Sequence, residues 1–298
     1  MIYRILNLFV QFLDAFALIS LAAIGLAIIF GIMRVINLAH GEFIMIGAYT
    51  TTLSYHAGIP LVVGIVLGSL ATGVFGVIVE RTVVRRLYGR LLDSMLATWG
   101  ISLILTQGVR IVFGNSLDQI GTPLGAISYG QYSFSTYRVM LAGVSVVVLA
   151  AVYWVFMYTE WGMRARATIQ NEEMARSLGT DTERMYMLTF ALGSALAGLT
   201  GALYAPTVTI VPTLGEAFLF DAFMGVIVGG TSVLLGTLLS GGALGFVNAF
   251  FANTVGNLFG DIAMLLAAIL VIRFLPEGLS GAVERYRERR RSSGGDDQ

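Results

Sequence analysis

The chain contains no cysteine, which excludes a disulfide framework, a thiolate metal site and a thiol nucleophile. It contains no lysine either: all 18 basic side chains are arginine, a bias that nothing in the sequence explains. Charge of either sign is scarce. Only 12% of the 298 residues are charged, about half the ~25% usual in soluble domains. No GxxxxGK[ST] phosphate loop is present, so no ATP-hydrolysing site of that kind belongs to this chain. With two histidines in all, no metal site is expected. No nucleophile–base constellation stands out, which argues against an intramembrane enzyme.

Apolar residues are what the chain has instead. They make up 56% of it, and the mean hydropathy is +0.81. A soluble chain of this size cannot hide that much apolar surface in a core, so lipid must solvate part of it. Apolar segments fall at roughly 9–32, 36–55, 60–80, 94–113, 138–158, 185–208, 219–251 and 258–275, most of them long enough to cross about 30 Å of hydrocarbon. The expected fold is all-α and polytopic, with about eight hydrophobic segments, one or two of them broken or re-entrant. The amino terminus reads as a retained first span.

Arginine sets the orientation. It concentrates in Glu80–Arg90, in Thr159–Arg184 and in the tail after Pro276, whereas Asn115–Tyr137 has none. Basic residues gather in short cytoplasmic loops, so the first three stretches face the cytoplasm and the fourth faces outward. The segment 219–251 must then begin and end outside. It is about 33 residues, roughly 50 Å as one helix, with Gly229-Gly230-Thr231 in its middle. Two short helices meeting at a break are expected there, since irregular backbone at membrane depth is tolerated only against protein or water. A second interruption lies at Gly31–Tyr49, where Arg34, Asn37, His40 and Glu42 sit between apolar flanks. If Arg34 marks a cytoplasmic turn, the amino terminus is outside; if the segment is a broken helix, it is inside.

Four motifs in register carry a resemblance. GIMRVINLAHGEFIMIGAY, RARATIQNEEMARSLGTDTERMYMLTFALGSALAGLTGAL, VGGTSVLLGTLLSGGALGFVN and FLPEGLSG together resemble permease subunits of the branched-chain amino acid and urea type of ABC importers. LLDSMLATWG, and the Gly-Glu of PTLGEAFLF, look most like the urea subgroup. The resemblance implies urea or a short amide as solute, with branched-chain amino acids as the alternative. It also implies a second related permease, two cytoplasmic ATPase subunits that bind the ATP, and an extracytoplasmic solute-binding protein, all in a prokaryotic inner membrane. No cofactor in this chain and no nucleic-acid partner are implied. Residues 1–281 would form the transmembrane permease domain, with a coupling loop at about 159–184 and a polar, Arg-rich cytoplasmic tail at 282–298. A self-sufficient channel or ion-coupled carrier is the rival class, but a carrier should show more intramembrane carboxylates.

Three groups of residues are candidate sites. Asn37, His40, Gly41 and Glu42 read either as a polar constriction on the substrate path or as a structural turn, because ionisable groups at membrane depth are costly and usually functional. Asn37 and His40 would share a face only on a continuous helix. Arg164, Arg166, Asn171, Glu172, Ala175 and Gly179 lie in the cytoplasmic loop. There Ile169, Met174 and Leu178 form one apolar side of a short helix that Gly179 ends, and the resemblance implies coupling to the ATPase. Gly229, Gly230 and Thr231 read equally as a permeation break or as close helix packing. Asp221 reads as a helix cap.

Overall fold

The computed structural model describes residues 2–130, 132–230 and 232–293, with side chains except at 129 and 287–293. It is a helical bundle, and its centre is the first helix, α1 (Ile2–Met33). From Phe16 to Met33 this helix is buried on nearly every side, as befits a helix that is apolar all round and carries no solvent-facing stripe. Around it and beside one another pack α2 (His40–His56), α3 (Leu61–Thr82), α4 (Leu91–Phe113), α5 (Thr136–Tyr158), α8 (Thr182–Tyr204), α9 (Leu214–Gly229), α10 (Val233–Thr254) and α11 (Asn257–Phe274). Among the described residues, seven helices are long and apolar enough to cross a membrane: α1, α3, α4, α5, α8 with the turn that follows it, α10 and α11. The other two bundle helices are shorter, 17 residues in α2 and 16 in α9. A hairpin of β1 (Ala126–Tyr129) and β2 (Tyr132–Ser135) precedes α5, and α6 (Glu160–Gln170) with α7 (Glu172–Ser177) follows it. A last helix, α12 (Gly278–Ser293), runs on past residue 281 without a break.

The two faces of the bundle are set by cross-connections. On one, Tyr3 packs over Gly130 of the hairpin, Asn7 donates to Asn253 at 3.0 Å, and Gln119 donates to Thr209 at 2.8 Å. On the other, Met33 and Arg34 border a cleft with Asn171, Glu172 and Arg176, and Arg85 pairs with Glu183. The second face carries the arginine-rich loops and is therefore cytoplasmic. The amino terminus lies on the face opposite the arginine-rich loops, which fits the topology with Arg34 at a cytoplasmic turn.

The parity of the segment near 219–251 resolves into two helices, but the break is not at mid-depth. Gly230 ends α9 at φ +85 and lies against Glu277 and Gly278 at the start of α12, and Gly31 at the cytoplasmic end of α1 touches Val233. Of the two arrangements the sequence left open, a re-entrant break and full spans, the structure has the turn at the arginine-rich face. The reason is that α9 starts deep. Its first residues are buried inside the bundle rather than at the outer surface, so 16 residues, roughly 24 Å of helix, suffice to reach the inner face.

Helices α2, α3 and α8 approach so closely that glycine is required. A Cβ on Gly201 would stand 1.8 Å from the carbonyl oxygen of Ile44, and one on Gly47 would stand 2.0 Å from that of Gly198. Such contacts replace the hydrophobic drive that lipid removes, since packing is what holds helices together in a bilayer. Gly201→Ala is expected to cost about 1–3 kcal/mol through overpacking. It should lower the melting temperature of the detergent-solubilised protein, whereas Gly143→Ala, where a new Cβ meets nothing within 4 Å, should leave it unchanged.

Candidate functional site

Between α1 and α2 the chain is not helical. Residues Arg34–Ala39 leave the cytoplasmic end of α1 and turn back into the bundle, where Val35, Asn37 and Ala39 are buried. Arg34 takes the left-handed conformation at φ +52, which reverses the chain direction. Helix α2 then begins at depth: the His40 ring lies 3.0 Å from the Ala22 carbonyl oxygen, eleven residues, or roughly 16 Å of helix, from the end of α1. Asn37 and His40 therefore do not share one face of a continuous helix, and the interruption expected within Gly31–Tyr49 falls at residues 34–39.

A buried segment outside any helix must find partners for its peptide groups. Here they come from side chains. The Leu38 N–H donates to Thr98 Oγ1 at 3.0 Å, and the Ala39 N–H donates to Asn37 Oδ1 at 3.1 Å. Thr98 belongs to a ladder on α4, where Ser94, Thr98, Ser102 and Thr106 recur every fourth residue and so share one face. Ser94, Thr98 and Thr106 are the residues that α4 buries, so this helix is polar on its inner face and apolar outside. Further along it, Thr106 donates to Glu42 Oε1 at 3.4 Å.

Helix α9 repeats the arrangement. After Leu117 and Ile210 pair in the outer loops, the chain descends and α9 starts at Leu214. Gly41 and Gly215, each the second residue of its helix, touch directly: a Cβ on Gly41 would stand 2.2 Å from the Gly215 carbonyl oxygen. Each is followed by glutamate. The two helix N-termini, with their partial positive charge, meet inside the bundle, and Glu42 and Glu216 line one cavity of about 420 Å³. Its other wall is α4, with Ser102, Thr106, Gln107 and Arg110.

Of the first sequence-predicted group, Asn37, His40, Gly41 and Glu42 come together at this junction but face different ways. Asn37 caps its own turn, His40 braces α1, Gly41 makes the helix contact and Glu42 faces the cavity. Gly229 and Gly230 do not join them, and Thr231 lies outside the described residues. Sequence reasoning missed Glu216, Gln107, Arg110 and the hydroxyl ladder. Two signals carried them: a Gly-Glu pair opening both short helices, and a hydroxyl at every fourth position of α4. Asp221, read as a cap, lies inside α9 and lines a separate outer cavity of about 350 Å³ with Asp14 and Asp261. Among the described residues, no group of three His, Cys, Asp or Glu is placed to hold a metal.

The cytoplasmic group forms a second unit. Thr159 caps α6 by accepting from the Gly162 N–H at 3.1 Å, and Arg166 donates to the Phe156 carbonyl at the end of α5. The helix expected to project as one rod breaks at Asn171, which caps α7 by accepting from the Met174 N–H at 2.9 Å. Glu172 pairs with Arg176 at 2.9 Å, Ala175 is buried, and Gly179 closes the unit at φ +87. Arg164 pairs with Glu160 on the exposed side. Ile169, Met174 and Leu178 are all exposed. Beneath them opens a cleft of about 750 Å³ bordered by Arg34, Tyr88, Glu172 and Glu183. Tyr88 donates to Glu80, and burial together with that carboxylate pushes its phenol well above the ordinary range, so it remains a donor.

The family described as "Branched-chain amino acid transport system / permease component" matches residues 8–275. The high-affinity branched-chain amino acid transport system permease protein BraD of Pseudomonas aeruginosa is 29% identical over 300 residues, covering 95% of this chain and 98% of that protein. The corresponding permease protein LivH of Escherichia coli is 28% identical, covering 89% of this chain and 92% of its own length. The ribose import permease protein RbsC of Escherichia coli is 25% identical over 83% of this chain and 78% of its own. No solved structure matches the chain.

Thr98→Val is expected to leave the Leu38 N–H without an acceptor, at a cost of about 1–3 kcal/mol. Thermal unfolding should show the loss, and Thr98→Ser, which keeps the hydroxyl, should recover most of it.

Proposed function

The chain belongs to the family of branched-chain amino acid transport-system permease components, and on that premise we propose that it carries branched-chain amino acids inward by alternating access. It is a multi-pass protein of the prokaryotic inner membrane and a transport subunit of the ABC importer type. Its expected companions are a second related permease, two cytoplasmic ATPase subunits that bind and hydrolyse ATP, and an extracytoplasmic solute-binding protein.

The observation that carries the substrate assignment is the match with permeases named for branched-chain amino acids over nine-tenths or more of the first relative's length and this chain's own. The urea preference drawn from sequence gives way to it. The features behind that preference have structural work in this fold. Thr98 of the LATWG run holds the buried Leu38 N–H, and Gly215-Glu216 builds the α2/α9 junction.

The solute path is assigned to that junction: Glu42 faces it, and Asn37, His40 and Gly41 hold the backbone that frames it. Two helices that start inside the bundle, with a polar cavity at their meeting point, match the layout of solute sites in helical transporters. Gly229 and Gly230 serve instead as the cytoplasmic turn beside the cleft. Coupling is assigned to α6 and α7. Arg166 and Thr159 fasten the unit to α5, Arg176 fastens it to Thr182 at 3.0 Å at the start of α8, and the exposed Ile169, Met174 and Leu178 give an ATPase an apolar surface to grip. Because α8 packs directly against α1, α2 and α3, a push on α7 reaches the junction through rigid helices.

Uptake of labelled leucine and labelled urea in cells with and without the gene tests the substrate: loss of leucine uptake is expected, and loss of urea uptake alone would restore the urea reading. Deleting 171–179 should abolish co-purification of the ATPase while the chain still inserts in the membrane; normal assembly would remove the coupling assignment.

A further inference from the structure

The cavity at the α2/α9 junction has a charge pattern that goes beyond its place on the path, in an inference that rests on the importer reading. Glu42 is 1% exposed. Its carboxylate accepts from Thr106 at Oε1 and takes a further hydrogen bond from Ser102, while Oε2 has no partner of good geometry. A buried carboxylate oxygen short of donors is unfavourable, and the side chain that carries this one lines the cavity. A second carboxylate, Glu216, stands in the same cavity. On the α4 wall is the opposite charge, Arg110, whose guanidinium donates to Gln107 at 3.4 Å. Trp99, Leu103 and Leu219 complete the lining with apolar surface. A volume of about 420 Å³ lies in the range of roughly 300–1,000 Å³ usual for small-molecule sites.

We propose that this cavity is a transit site for a zwitterionic α-amino acid. Glu42 and Glu216 receive the ammonium group, whose three N–H donors supply the partner that Oε2 lacks. Arg110 receives the carboxylate, and the apolar wall receives the side chain. Such a site selects for charge separation in the solute. A neutral amide fills neither pole, and a carboxylic acid without an amine leaves the acidic pole unpaired, which costs more than an apolar mismatch.

The absence of cysteine makes the test direct. Thr213 lines the cavity and is exposed, so Thr213→Cys places the chain's single thiol at the rim. In membrane vesicles holding the assembled importer, this thiol is expected to react about ten-fold faster with a cationic methanethiosulfonate than with an anionic one, because a cleft lined with carboxylates concentrates cations. Leucine should slow the reaction; 4-methylpentanoate, which is leucine without its ammonium, and urea should not. Adding Glu216→Gln, a change at an exposed position of nearly equal volume, should reduce both the charge preference and the protection by leucine while membrane abundance stays at the parental level. Equal rates with the two reagents, or protection by 4-methylpentanoate as strong as by leucine, would overturn the proposal. Uptake of labelled leucine by the same cells separates the two levels. If uptake depends on the chain and the labelling pattern fails, the transit site is wrong and the importer reading stands. If leucine uptake is independent of the chain, the reading itself falls.

Discussion

The centre of this bundle is shaped by one requirement: a non-helical stretch of backbone, with Val35, Asn37 and Ala39 buried, has to find partners inside the protein. Between Arg34 and Ala39 the peptide groups cannot bond to one another as they do in a helix, and an unsatisfied group in an apolar medium costs several kcal/mol. The fold meets this with side chains. Thr98 accepts from Leu38, Asn37 accepts from Ala39, and the His40 ring is held at the Ala22 carbonyl. The hydroxyl ladder on α4 serves two needs: Thr98 bonds the Leu38 N–H and the Ile36 carbonyl, and Ser102 and Thr106 bond the Glu42 carboxylate. Once the segment is held at depth, α2 has to start in the middle of the bundle, and its N-terminal dipole and first-turn glutamate come with it.

Close packing then determines what the two short helices bring together. Gly41 against Gly215 lets the N-termini of α2 and α9 touch, and the residue after each glycine is a glutamate. The contact therefore couples architecture to chemistry: the geometry that lets two helices begin inside the bundle also places two carboxylates on one cavity wall. Gly47, Gly198 and Gly201 hold α2 against α8 at the same depth. Since α8 starts at the cytoplasmic unit and passes the junction, the bundle has a short mechanical route from the exposed face of α7 to the cavity, made of helices in direct contact.

The all-helical, membrane-spanning nature of the chain, the break near residue 230 and the helix stop at Gly179 were legible in the sequence. Each rests on a local property: apolar length, or glycine's freedom at positive φ. The parity argument for two helices within 219–251 also held, because it follows from topology alone. What stayed hidden was depth. Whether the Gly229-Gly230 break was re-entrant or a turn between full spans could not be read, since nothing in the hydropathy of 208–220 reveals that α9 begins inside the bundle. The kink at Asn171 was likewise read as a continuous helix, because the apolar spacing of Ile169, Met174 and Leu178 persists across it.

The amino-acid sequence by itself thus determined the solvent, the fold class and the presence of two interrupted segments, because lipid imposes those through composition and length. Which groups face one another was decided only by tertiary structure. Glu42 and Glu216 are 174 residues apart, and no periodicity relates them. They share a cavity because two glycines let helix ends from opposite halves of the chain meet, and that approach is a property of packed backbones that a linear pattern does not express.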